Sequence, residues 1–366
     1  MTSRREFIGL TAGALAAPPL LSLASASGPV IPRAARPLSM LVLGGTGFLG
    51  PHQIEYAIAR GHQVTMFNRG SNPGMFGDAV EELVGNRDSK LDTGLAVLEG
   101  DRTWDVVIDN SGYVPRHVRD SANLLKERCG RYLYISTVAV YDFDVARVFP
   151  ESAKLAELAD SSIEEVTGDT YGPLKAACDI AAREVLGDRC TVVRPTYVVG
   201  PGDHTDRFTY WVERVSRGGE VLAPANPGNE VQWVDARDLC PWVVTLCEND
   251  TSGIFNAAGP SARIDRTGLM WGLRAQTAEP VTFFWPSDDL LEELGIVQPM
   301  MSRDDSYHFA NEASMAAGLR YRSLADTATG VLDWWQGLPE ERRNNPRRWP
   351  TPVQEKSAID RLKSAG

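Results

Sequence analysis

The chain has 366 residues, 43% hydrophobic and 23% charged, which is ample material for a packed core. A formal charge of −11 supplies no basic face for phosphate backbones or anionic lipid, so nucleic acid and membrane surfaces are poor partners. The five cysteines form no CxxC pair and the five histidines no HxH or HxxxH spacing, so neither a disulfide framework nor a metal site is expected.

At the amino terminus, Ser3, Arg4, Arg5, Glu6, Phe7 and Ile8 place an arginine pair ahead of an apolar run from Gly9 to Ala17. Pro18 and Pro19 interrupt that run, which is too short to span a bilayer, and Ala24, Ser25 and Ala26 supply an AxA cleavage pattern. Residues 1–27 resemble a bacterial twin-arginine export signal, which implies passage through the twin-arginine machinery as a folded protein, cleavage near Ala26, and no stable membrane span in the mature chain. Free NAD(P) is scarce outside the cytoplasm, so an exported nicotinamide protein would carry its cofactor tightly bound. Residues 28–38, rich in proline, read as a linker.

Met40 to Gly50 (MLVLGGTGFLG) joins an apolar run to glycines at 44, 47 and 50. That spacing predicts a buried strand, a tight turn and a helix whose unpaired N–H groups hold a dinucleotide pyrophosphate. Gly44, Thr46, Gly47, Phe48, Leu49 and Gly50 make the turn, and Ile54, Tyr56, Ala57 and Ile58 continue the helix. His62 to Asn68 reads as the second strand. Asn68 is uncharged where an acid would repel a 2′-phosphate, and Arg69 can pair with one, which favours NADP(H) over NAD(H). Leu83 and Val84 lead to Gly85 and to Asp88, a candidate for the adenine amino group. Leu91 to Leu98 reads as a short helix.

Trp104 to Asp109 (WDVVID) is a buried parallel-type strand, opening into Asn110, Ser111, Gly112 and Tyr113, a loop suited to border the nicotinamide-side ribose. Val118 to Cys129 has helical period, and Arg131 to Tyr141 reads as a strand with Ser136 and Thr137 toward its carboxyl end. Strands alternating with helices predict an α/β, Rossmann-type doubly wound parallel sheet. Phe143 to Thr170 reads as a covering loop with one short helix. A helix then starts at Tyr171, with Pro173 in its first turn and Tyr171 and Lys175 on one face. Cys190 to Val199 reads as a further strand, closed by Gly200, Pro201 and Gly202.

The glycine triplet, Ser136 and Thr137, the Tyr171–Lys175 pair, and Arg194 and Pro195 through Gly200 and Pro201 occur in an order that resembles the extended short-chain dehydrogenase/reductase superfamily, the NAD-dependent epimerase/dehydratase group. The resemblance covers Leu38 to Gly259. It implies that Tyr171 exchanges a proton with a substrate hydroxyl or carbonyl. Lys175 would hold the nicotinamide ribose and tune the phenol, and Thr137 or Ser136 would bind the substrate oxygen. The turn, Asn68, Arg69, Asp88, Ser111, Lys175 and Arg194 are then the cofactor contacts. Tyr113, Arg207, Tyr210, Trp211 and Trp233 fall where the family lines its substrate pocket.

Two departures narrow the chemistry. Thr137 is followed by Val138 and Ala139 where the family's dehydratases carry an acidic pair, and Val231 stands where its epimerases place an arginine for a nucleotide diphosphate. Elimination and a nucleotide-sugar substrate are therefore not expected. The expected division is a Rossmann domain over 39–200 and a substrate-binding lobe over 201–366, with segments near 231–259 packing back on the first. Trp285, Trp334 and Trp335 read as packing residues, and the tail from Pro339 as exposed. These readings favour an NAD(P)-dependent oxidoreductase or epimerase acting on a small hydroxylated, carbohydrate-like molecule. Its rivals are a cytoplasmic NADPH-dependent reductase and a non-catalytic NAD(P)- or RNA-binding member of the superfamily.

Overall fold

The computed structural model describes residues 31–301 and 307–365, so the export-signal reading of residues 1–27 lies outside the described residues. In chain order the first elements are β1 (Ser39–Leu43), α1 (Leu49–Arg60), β2 (Gln63–Asn68), β3 (Glu81–Val84), β4 (Trp104–Asp109), α2 (Pro115–Leu125) and β5 (Cys129–Ile135). There follow β6 (Val148–Phe149), α3 (Tyr171–Leu186), β7 (Cys190–Pro195), β8 (Tyr197–Val199), α4 (Arg207–Ser216), β9 (Gly219–Leu222) and β10 (Trp233–Asp235). Next come α5 (Ala236–Glu248), β11 (Gly253–Ala257), α6 (Arg266–Arg274), β12 (Val281–Phe284), α7 (Asp288–Glu293) and β13 (His308–Phe309). The chain closes with α8 (Glu312–Ala316), α9 (Leu324–Gly337), α10 (Glu340–Asn344) and α11 (Pro352–Ala365).

Seven strands form one parallel sheet in the order β11-β7-β5-β4-β1-β2-β3. Side chains alternate across a strand, so a sheet covered on both faces needs apolar residues at consecutive positions. β1 meets that demand. Met40 and Val42 pack with Ile54 and Ala57 of α1 and Leu239 and Val243 of α5, while Leu41 and Leu43 pack with Val118 and Ala122 of α2 and Cys178 and Ala182 of α3. The Rossmann-type architecture expected from the sequence is the one observed. A second core, containing Phe208, Trp211, Val215, Leu269, Met270 and Val331, sits among α4, α6 and α9 and builds the smaller lobe.

Several local expectations need correction. Leu91 to Leu98 is not a helix; a 3-10 turn covers only Ala96–Leu98, because Asp92 and Gly94 take positive φ. The strand read over 131–141 ends at Ile135, after which Thr137 accepts the Ala139 amide and caps a 3-10 turn over Val138–Val140. The strand read over 190–199 is interrupted at Thr196, after Pro195, which has no N–H to give to a ladder, and β8 pairs with β10 instead. No helix forms within 143–170, where Val148–Phe149 pairs with β13. The tail is not wholly exposed. Arg342 reaches the buried carboxylate of Asp206 at 2.5 Å, and Trp349 Nε1 donates to the Asp206 carbonyl at 3.0 Å.

Candidate active site

The carboxyl ends of β1, β4 and β5 form one rim of the sheet, and the turn after β1 passes directly into α1. Gly44 has φ +87°, outside the range comfortable for other residues, and Gly50 lies so close to the Gly45 backbone that any Cβ would collide with its carbonyl. A Cβ at Gly47, by contrast, would meet nothing within 4 Å, so the backbone there is open to a ligand. α1 has no side-chain cap and no acid in its first turn, leaving its first N–H groups without a protein side-chain acceptor. These features fit the pyrophosphate of a dinucleotide. Gln53 and Asn110 exchange amide hydrogen bonds of 3.1 and 2.7 Å, tying α1 to the loop after β4.

The cofactor-side candidates divide. Thr46, Phe48 and Leu49 lie in the turn or at the start of α1. Ser111 approaches Gly44 and its hydroxyl has no partner. Arg69 is exposed directly after β2, but Asn68 is occupied: its amide donates to Glu82 at 3.0 Å and its oxygen accepts the Gly70 amide at 2.6 Å. Asp88 is bound by both terminal nitrogens of Arg116, at 2.7 and 3.2 Å, which holds its carboxyl well below the usual range and competes with any adenine contact. Arg194, expected at the cofactor, has its guanidinium engaged within the protein. It is buried with Asp179 of α3 at 2.8 Å and bonded to the Tyr141 hydroxyl at 3.0 Å and the Glu151 carbonyl at 3.0 Å, on the face of β7 that α3 packs.

The catalytic candidates converge. Lys175 is buried, and its ammonium donates to the carbonyls of Gly112 and Ile135, each at 2.8 Å, while lying 4.2 Å from the centre of the Tyr134 ring. Burial lowers its pKa, and two carbonyls leave one of its three protons for a ligand. Tyr171 lies one turn earlier on α3. Burial raises its phenol well above the ordinary value, whereas a hydrogen bond with Thr137 and the charge of Arg207 pull it down. Ser136 is buried beside Asp179 of α3. Beneath the loop, Asp109 accepts from Arg87 at 2.7 Å, from Tyr132 at 2.6 Å and from the Ser111 amide at 3.0 Å, so the residues between Asp109 and Gly112 are held from below.

Gly172 is the residue the sequence reading missed. A Cβ there would lie 2.3 Å from the Ala139 carbonyl oxygen, so only glycine lets α3 press against the turn that starts at Thr137. A glycine in the first turn of a helix, beside the tyrosine it positions, was the available signal.

On the substrate side, Tyr113 stands with its ring centre 6.4 Å from that of Tyr171, and Arg207 lies over the Tyr197 ring at 4.9 Å. Tyr210 and Trp211 do not line a pocket. They are 2% and 0% exposed, with Trp211 bonded to the Pro299 carbonyl, because helical spacing turns them toward the lobe's core. Trp233 is likewise buried, packed on Phe208 with ring centres 5.8 Å apart.

A tyrosine and lysine four apart, a threonine two residues beyond β5 and an open glycine turn on one rim define a dinucleotide-binding α/β protein. Residues 40–258 match the NAD dependent epimerase/dehydratase family, and the chain belongs to that family. Among curated relatives it is 24% identical over 246 residues to the chloroplast stem-loop binding protein of 41 kDa b of Arabidopsis thaliana, a match covering 60% of this chain and 58% of that protein. Solved structures of like fold include UDP-glucuronic acid 4-epimerase from Bacillus cereus with NAD (TM-score 0.59, 14% identity, 81% of this chain and 96% of that one). They also include dTDP-glucose 4,6-dehydratase from Bacillus anthracis with NAD (0.59, 15%, 82% and 100%) and a human epimerase family protein with NADPH (0.56, 19%, 82% and 100%).

Proposed function

We propose that the protein is an NAD(P)-dependent oxidoreductase or epimerase of the extended short-chain dehydrogenase/reductase kind, with a retained cofactor, acting on a small hydroxylated, carbohydrate-like substrate. The observation that carries this is the meeting of Tyr171, Thr137 and Lys175 beside the open turn at Gly47. A bound nicotinamide supplies the hydride acceptor or donor. The turn from Gly44 to Gly50 would hold its pyrophosphate, Lys175 its ribose, and Arg69 a 2′-phosphate, which favours NADP(H).

In this chain Thr137 accepts the Ala139 amide, so its own hydroxyl proton is free to be donated to Tyr171 or to a substrate oxygen. Tyr171 takes a proton from a substrate hydroxyl as phenolate, or gives one to a carbonyl as phenol. The Lys175 ammonium is fixed by two carbonyls, with one N–H left that would hold the nicotinamide ribose. Residues 1–27 support delivery as a folded, exported protein with cofactor inside.

Denaturing the purified mature protein and identifying the nucleotide released tests the retained cofactor. Tyr171→Phe should abolish turnover while keeping that nucleotide bound, and a fully active variant would remove Tyr171 from the mechanism. The likeness to a stem-loop binding protein favours RNA binding as a second reading. The net charge of −11 weighs against it, and salt-sensitive RNA retention unchanged by Tyr171→Phe would restore it.

A further inference from the structure

Arg207 opens α4 on the substrate side of the crevice. Its Nε donates to the Thr205 hydroxyl at 3.0 Å, its guanidinium lies over the Tyr197 ring at 4.9 Å, and among the described residues no carboxylate pairs with it. Asp203, whose carboxylate feels the Arg207 charge, is bonded to the Thr205 amide and hydroxyl at 2.9 and 2.6 Å. Tyr197 follows the carboxyl end of β7, and the register Ile135↔Val193 brings that end beside Thr137. The positive charge thus faces the reacting centre, in keeping with its pull on the Tyr171 phenol.

The fork is also held in place. Asp206, just before it, takes a left-handed backbone (φ +58°) and is buried, its carboxylate receiving Arg342 at 2.5 Å and the Arg347 amide at 2.8 Å. The same loop reaches the cofactor turn, where His52 Nε2 lies 2.8 Å from the Pro201 carbonyl. A guanidinium stacked on an aromatic face, anchored by one nitrogen and pinned from behind, keeps its two terminal nitrogens for a planar or tetrahedral oxyanion.

We propose that Arg207 is an anion subsite, and that the substrate carries a carboxylate or phosphate group which Arg207 binds while Tyr171 and Thr137 act on a neighbouring hydroxyl or carbonyl. This rests on the reading of Tyr171 and Thr137 given above.

The test titrates the full mature protein, saturated with NAD(P), with glucose, glucuronate and glucose 6-phosphate by calorimetry. One of the two anionic sugars should bind at least about tenfold more tightly than glucose, and which one does so tells carboxylate from phosphate. Arg207→Gln should erase that difference, and Arg207→Lys, which keeps the charge but not the fork, should restore part of it. Equal binding of all three sugars, binding of none, or a preference that survives Arg207→Gln overturns the subsite. Nucleotide released on denaturation, or taken up in a titration with NAD(P), distinguishes the two failures: neither release nor uptake sinks the enzymatic reading, whereas bound nucleotide without anion preference sinks the subsite alone.

Discussion

Replacing Gly172 with alanine probes whether the catalytic phenol depends on a single close approach. The added Cβ would sit 2.3 Å from the Ala139 carbonyl oxygen, and that partner is backbone, so α3 or the turn at Val138–Val140 must move. Relieving such a contact needs a shift of about 1 Å, and misplacement by that amount can cost on the order of 10²-fold in rate. Overpacking of this kind costs roughly 1–3 kcal/mol of stability, so the variant should fold with a melting temperature lowered by several degrees. The assays are turnover on the identified substrate, nucleotide content after purification, and thermal melting. Turnover should fall about 100-fold with nucleotide retained, since the turn from Gly44 to Gly50 is untouched. Undiminished turnover, or a loss that merely follows loss of nucleotide, would refute the argument.

Three further outcomes follow from the site and its supports. Thr137→Val removes the hydrogen bond that lowers the Tyr171 pKa, so the acid-side limb of a kcat/KM profile in the oxidative direction, where protonation removes the phenolate base, should move to higher pH. Arg194→Met leaves the Asp179 carboxylate buried without its partner and should destabilise the fold by about 3–5 kcal/mol, with Asp179→Leu in the same chain recovering much of that in denaturant titrations. Asp88 has a folded pKa held below its unfolded value by Arg116, so its contribution is present above the unfolded pKa and lost as pH falls through the folded one. Urea midpoints of wild type and Asp88→Asn should therefore differ at neutral pH and converge in acid.

Much of the fold was legible because its rules are local. Consecutive apolar residues in β1 announce a strand covered on both faces, and Tyr171 and Lys175 four apart on one helix announce a shared face. What was hidden depends on partners distant in the chain. Arg342 and Asp206 are 136 positions apart, and nothing near the tail reveals the contact. Tyr210 and Trp211 show the limit of composition: aromatic residues in the lobe could line a pocket or fill a core, and only the orientation of α4 against α6 and α9 decides for the core. Arg194 met the same ambiguity, settled by an Asp179 that periodicity on α3 did not advertise.

The order of strands carries a consequence for anyone who would cut this molecule. The outermost position beside β7 is filled by residues 253–257, more than fifty positions downstream of the apparent end of the nucleotide-binding half. A fragment halted at Gly200 would bare the amide and carbonyl row of Thr191 to Pro195, an adhesive flank for other copies of itself. Such a piece should precipitate more readily than one carried past Ala258, in which β7 keeps its partner strand.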